Sequence, residues 1–507
     1  MRYKPFRTMT PQAGRFLPRP PLRNCCTAGA LTALAMLIAV ALLTLDGGSA
    51  AGAQSRRRAI VKPVAKPIDW NKITQEATDL LSKYIRINTT DPPGNELPAA
   101  KMLREKFLAA GIPATIWESS PGRAILAARL HGIGRHTKSI ILLSHMDVVP
   151  ANPKEWQVPP FSGTVKNGEI WGRGALDDKG PGVVELMAML AIKRSGVLLD
   201  RDVLFLATAG EEVGGAAGAG WVISHEPDLY ADAGYVLNEG GGILVQKSGK
   251  LYTVSVTEKT PLWLRLTAAG PAGHAAVPPQ TSAVTRLVAA LDRLDTFHTP
   301  IRVINPVRDY FRSLASLGDE PDQFANLPAA LRNDPAFARN FVAVPSQNAQ
   351  VRDTIAPTVL HGSDKTNSIP ATAYAEVDCR LLPGTNKKEF LATLRKVIGD
   401  KSIKVDVLLN FPPASSPQRS LLMNAIRIVA QHFDKAPTVP RLLDGFTDSH
   451  YFREKGIIAY GFTPLEITPA EMHEIHGVNE RIAVKNLRGG IERMVALLEI
   501  LGGREGQ

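Results

Sequence analysis

The stretch Ser139-Ile140-Ile141-Leu142-Leu143-Ser144-His145-Met146-Asp147 decides how this chain is read. An apolar run this short, without alternation, reads as a strand buried on both faces. In extended chain, residues two apart project to the same side, so His145 and Asp147 face together where the run ends. A carboxylate beside an imidazole is the usual device for fixing one ring tautomer, although H-x-D at a strand end is also a common surface pair.

Outward from this stretch, similar apolar runs recur at Ala124–Leu130, Val203–Thr208 and Tyr235–Leu237, with a helix through Val183–Ile192 between them. Upstream, Asp69 reads as the N-cap of a helix with Ile73, Ala77, Leu80, Leu81 and Tyr84 on one face. A second amphipathic helix, containing Leu103, Phe107 and Leu108, ends at Gly111. Strands bounded by helices predict an α/β fold, a mostly parallel sheet with helices on both faces. Near Ser255 the rhythm changes. Strands at Leu262–Thr267, Thr358–Gly362, Ala373–Leu381 and Lys404–Leu409, with helices at Ser282–Leu294 and Lys387–Ile398, spell the ferredoxin-like order βαββαβ. The segment 315–352 is too long for a plain connection and reads as helical decoration. A helix from Leu421, an apolar strand at Gly456–Phe462 and a last helix at Val484–Leu501 then resume the first pattern. The expected organisation is an α/β domain in two parts, 69–254 and 412–507, interrupted by an inserted domain at 255–411.

Composition is that of an ordinary globular protein: 507 residues, 44% hydrophobic and 21% charged, which excludes wholesale disorder. Three cysteines exclude a disulfide scaffold. The net charge of +11 is partly local, because residues 1–53 hold six basic side chains against Asp46. The remainder is spread along the chain and reads as solvated surface, not as a nucleic-acid site. That leader has a basic stretch to Arg23, an apolar run at 27–45 and a small-residue segment ending Ala51-Gly52-Ala53. It reads as a secretory signal peptide, hence an exported protein, with an uncleaved signal-anchor as the alternative. Residues 54–68, rich in Arg, Lys and Pro, read as a linker.

Four further motifs carry chemistry: Asp177-Asp178-Lys179-Gly180, Glu211-Glu212, Asn238-Glu239-Gly240 and His476-Gly477-Val478-Asn479-Glu480. Singly, each has a plainer reading, as a helix cap or an exposed turn. Together they put His, Asp, Glu, Glu and His at ends of successive elements, the edge where open α/β sheets build their sites. Adjacent glutamates repel unless a cation lies nearby. Carboxylate and imidazole donors without cysteine suit zinc, with cobalt or manganese as substitutes.

The ordered set Ser144-His145-Met146-Asp147, Trp156…Pro160-Phe161, Gly172-Arg173-Gly174, Asp177-Asp178-Lys179-Gly180, Glu211-Glu212, Glu239 and His476 resembles the zinc-dependent aminoacylase/carboxypeptidase metallopeptidase family, the co-catalytic di-zinc exopeptidases. The resemblance runs from about 70 to 503. Leu176-Asp177-Asp178-Lys179, Asp444-Gly445-Phe446-Thr447-Asp448-Ser449 and Ile475-His476-Gly477-Val478-Asn479-Glu480 place the chain nearest the carboxypeptidase S group and the secreted N-acyl-amino-acid synthase/hydrolases. The resemblance implies two zinc ions per chain, with Asp177 bridging, His145 and Glu239 completing one site, and Glu212 and His476 the other. It implies Glu211 as general base acting on a metal-bridging hydroxide, and Asp147 orienting His145. Three further residues are implied in the inserted lid or dimerisation domain. His274, in Gly270-Pro271-Ala272-Gly273-His274, would stabilise the oxyanion, often across a homodimer. Asn367 would bind substrate, and Arg380 would grip its free carboxylate.

Four residues read otherwise. His473 is a weaker candidate than His476, which has the H-x-x-N-E context. His450 reads as surface, and Asp178 as a solvent or cap carboxylate. Cys379 reads as a buried, inert thiol. The expected activity is metal-assisted cleavage of the amide next to a residue with a free α-carboxylate, in short peptides or N-acyl amino acids. An N-fatty-acyl-amino-acid synthase/hydrolase is the alternative, and a non-catalytic zinc-binding relative the remaining one. No nucleic acid is expected as partner, and a membrane only if the leader stays uncleaved.

Overall fold

The computed structural model describes residues 66–134, 138–318 and 321–503; the leader at 1–53 and linker residues 54–65 lie outside them. Helix Trp70–Arg86 starts where Asp69 accepts the Lys72 N–H, and it buries Ile73, Ala77, Leu80, Leu81 and Tyr84. Strand Ser139–His145 is buried at all seven positions. It lies between Val203–Thr208 and Ala233–Asn238, parallel to both. Ile458–Gly461 continues the parallel centre beside Ala233–Asn238.

Among the described residues this sheet has ten strands. One edge is the antiparallel hairpin Ala114–Ser120 and Arg123–Leu130. The other is Gly249–Glu258 with Gly242–Gln246, joined by the parallel strands Thr438–Leu443 and Glu466–Ile467. Helix Lys179–Ser195 is buried almost throughout, because helices Trp70–Arg86 and Val484–Gly502 cover the side away from the sheet. The fold is therefore α/β with a large, centrally parallel sheet, as the apolar runs predict.

The second sheet is antiparallel, in the order Thr354–His361, Thr372–Leu381, Thr260–Ala269, Lys404–Asn410. With helices Ala283–Asp295 and Lys387–Ile398 it completes the βαββαβ order. Residues alternate along Thr372–Leu381: Ala373, Ala375, Val377 and Cys379 pack under the helices, so Arg380 points to the opposite face. Cys379 is buried, and burial pushes its thiol up to about 12. The helical segment begins earlier than expected, at Asn305–Leu317, and packs with Phe311, Phe324 and Phe341 against Val439 and Leu442 of the large sheet. The edge strands Ala114–Ser120 and Thr438–Leu443 go beyond the sequence-based expectation, because polar residues mixed among the apolar ones blur the run.

Candidate metal centre

His145 ends the central strand level with Thr208 of the neighbouring strand. Its ring is buried, and Nδ1 donates to the Asp147 carbonyl at 2.9 Å. That leaves Nε2 facing Asp177 Oδ1 at 3.0 Å and Glu239 Oε1 at 3.7 Å. Both ring nitrogens thus meet acceptors, an arrangement satisfied by a protonated ring or by a cation on Nε2. Burial alone would lower the His145 pKa, but the hydrogen bonds its ring makes to Asp147 and Asp177 raise it well above the usual imidazole value.

The other Asp177 oxygen, Oδ2, lies 3.1 Å from His476 Nε2, which is also 3.1 Å from Glu212 Oε1. Asp177 therefore stands between two imidazoles, one oxygen toward each. His473 stays exposed and outside this group. His476 holds a left-handed backbone (φ 59°), a conformation that disfavours a side chain and is tolerated where the surroundings enforce it. The loop that carries His476 is tied down through Glu480. Its buried carboxylate takes Arg173 Nη1 at 2.7 Å and the N–H groups of Gly174, Leu176 and Asp177 at 3.0, 2.7 and 3.1 Å. It thereby fastens the His476 loop to the Asp177 loop, a role that the H-x-x-N-E spacing alone does not reveal.

The Glu211-Glu212 turn follows strand Val203–Thr208 through Gly210, whose φ of 71° requires a glycine-like conformation. Asp147 holds the turn from below: Oδ1 accepts the Glu211 N–H at 3.2 Å and Oδ2 the Glu212 N–H at 3.0 Å. Glu211 is buried; burial, then Glu239 and Glu212, push its carboxyl well above the ordinary range. Burial and then Asp177 do the same to Glu239. Asp177 is held low despite its burial, by hydrogen bonds from His145 and His476.

Two residues differ from expectation. Asp178 is buried, neither solvent-facing nor a cap: its side chain caps nothing, and Oδ2 accepts the His145 N–H at 3.2 Å. His450 is buried too, stacked on Phe411 at 3.8 Å with Nδ1 donating to the Thr447 carbonyl at 2.8 Å. Long-range packing that no local pattern encodes encloses both.

A cation fits this group. Four-coordinate zinc with bonds near 2.0 Å spaces its ligand atoms about 3.3 Å apart. The separations of 3.0, 3.1, 3.1 and 3.7 Å bracket that spacing. Two sets of donor atoms lie within 4.8 Å of one another: His145, Asp177 and Glu212, and His145, Glu211 and Glu239. Among the described residues buried carboxylates outnumber imidazoles in this group, an excess of negative charge that a cation would offset.

The group opens on a cavity of about 530 Å³, bounded by Leu176, Leu465, Ile467, Met472 and Ile475 on the large-sheet side and by Trp263, Arg380 and Phe446 opposite. Arg380 is held by Asp378 through Nε at 2.8 Å and Nη2 at 3.0 Å, with its guanidinium 4.8 Å from the Phe446 ring. His274 and Asn367 are exposed and do not border this cavity. They are brought to each other instead: Gly273–His274 pairs with Ser368–Ile369, and the Ala275 N–H donates to the Asn367 carbonyl at 3.1 Å.

Residues 141–500 match the profile of peptidase family M20/M25/M40. The chain is 30% identical over 488 residues to the N-fatty-acyl-amino acid synthase/hydrolase PM20D1 of Xenopus tropicalis, covering 93% of this chain and 94% of that one. It is 26% identical over 373 residues to the probable carboxypeptidase S-like 2 of Dictyostelium discoideum, covering 70% of each. Its fold matches the crystal structure of the M20 family metallo-carboxypeptidase Sso-CP2 from Sulfolobus solfataricus, with TM-score 0.65 and 19% identity over 85% of this chain and 99% of that one.

Proposed function

The chain belongs to peptidase family M20/M25/M40 and is a hydrolase, and from that premise we propose that it cleaves the amide next to a residue bearing a free α-carboxylate, in short peptides or N-acyl amino acids, with two zinc ions held by its own side chains. The observation that carries this reading is Asp177, one oxygen 3.0 Å from His145 and the other 3.1 Å from His476. His145 and Glu239 would hold one ion with Asp177, and Glu212 and His476 the other. Such a pair of ions acidifies water and polarises a carbonyl.

Glu211 does not ligate in this reading. Its carboxylate takes a proton from the attacking water and returns it to the leaving amine. Asp147 fixes the Glu211-Glu212 turn and the His145 tautomer. Arg380, pre-oriented by Asp378, would receive the α-carboxylate as a planar donor. His274 and Asn367, off this chain's own cavity, would complete the site of a second copy.

The apolar half of the cavity and the 30% identity to an N-fatty-acyl-amino acid synthase/hydrolase support a second reading, in which the acyl half is a fatty chain. The chemistry is the same and only the occupant of the apolar wall differs. The division into 69–254, 255–411 and 412–507, and export through the leader at 1–53, belong to the same proposal. Among the described residues no helix is long and apolar enough to cross a membrane. The test is Glu211→Ala: turnover of an N-acyl amino acid should disappear while two metal ions per chain remain. A loss below about tenfold would remove Glu211 from the role of base.

A further inference from the structure

Arg441 lies in strand Thr438–Leu443, paired with Ser255 of the parallel neighbour. Both Arg441 and Leu443 border the cavity, and Leu443 packs where a side chain on Gly240, beside Glu239, would stand. The strand that walls the metal group therefore also brings Arg441 into the lining of the same cavity.

Its surroundings give it no ion pair. Among the described residues no carboxylate lies within ion-pair distance of Arg441, in contrast to Arg380, which Asp378 holds twice over. The Arg441 guanidinium lies 5.8 Å from the Tyr310 ring, and its Nε reaches only the Leu442 carbonyl, at 3.5 Å. Asp444 is near enough to feel Arg441 but beyond ion-pair distance, and one of its carboxylate oxygens accepts from the Gln350 amide. A half-buried guanidinium facing a substrate cavity offers a planar donor set suited to a carboxylate. A purely apolar acyl group would leave it unmatched.

We infer that Arg441 is a specificity-determining residue that receives a second carboxylate of the substrate, so that the cavity favours dianionic N-acyl amino acids. This rests on the hydrolase reading above. The second carboxylate can sit on the amino-acid half or on the acyl half, and paired substrates separate these: N-acetyl-L-glutamate against N-acetyl-L-glutamine, and N-succinyl-L-leucine against N-pentanoyl-L-leucine.

The experiment measures kcat and KM for both pairs with the zinc-loaded full chain, as wild type, Arg441→Gln and Arg441→Lys. In one pair the wild type should prefer the dianion by about tenfold or more in kcat/KM, carried by KM. Arg441→Gln should raise KM for that dianion at least tenfold more than for its monoanionic partner, and Arg441→Lys should recover part of the preference. The monoanionic partner reports that the variant has folded. No preference in either pair, or equal losses on both members, would overturn the inference while leaving the hydrolase reading standing. Turnover of none of the four by the wild type would overturn that reading, and this inference with it.

Discussion

The backbone N–H of Glu212 donates to Oδ2 of Asp147 at 3.0 Å. With the Glu211 N–H on Oδ1 at 3.2 Å and His145 Nδ1 on the Asp147 carbonyl at 2.9 Å, a single buried residue sets a proposed ligand, the proposed base and a second ligand. Partners of this kind, one step behind the ligands, are typically worth about 10–100-fold in metal affinity or activity. Asp147→Ala is therefore predicted to lower both zinc affinity and kcat by about that range, with the fold intact by circular dichroism. Unchanged zinc affinity and rate would show that the turn positions itself.

The protonation of the cation-free site gives a second prediction. Hydrogen bonds to Asp177 and Glu212 push His476 up to about 10, so its ring is charged at neutral pH before a cation arrives. Ligation needs the neutral ring, so metal uptake must expel that proton. Zinc affinity should rise with pH through the neutral range and fall as the medium is acidified. Titration calorimetry at pH 7 in buffers of different ionisation enthalpy should detect proton release, and His476→Ala should release about one proton fewer. Heats independent of the buffer would count against His476 as a ligand.

His274 gives a third. It is exposed on the Gly273–His274 ladder and lies off its own chain's cavity. Mixing inactive Glu211→Ala with inactive His274→Ala protein should restore activity to about a quarter of wild type, because half of randomly formed dimers would hold one complete site. Absence of recovery after subunit exchange would place His274 in its own chain's site, or outside catalysis altogether.

Much of this site was legible because its residues end predictable strands. Ile140–Leu143 announces the strand, and His145 and Asp147 follow at its end; Val203–Thr208 does the same for Glu211 and Glu212. What was not legible depends on residues hundreds of positions away. Glu480 fastens the Asp177 loop from across 303 residues, and Phe411 encloses His450. Neither contact leaves a periodic trace in either segment. Arg441 went unnoticed for a related reason: its strand is an edge strand with a proline and an arginine in it, and only the fold turns that arginine toward the cavity.

Five side chains, His145, Asp177, Glu212, Glu239 and His476, are proposed to hold two catalytic zinc ions. The deciding measurement is the metal content of the purified full chain before and after chelation, with N-acyl amino acid turnover followed in parallel. Two zinc ions per chain are expected, with turnover lost as they are removed and regained on adding zinc back. Full turnover by metal-free protein would overturn the assignment.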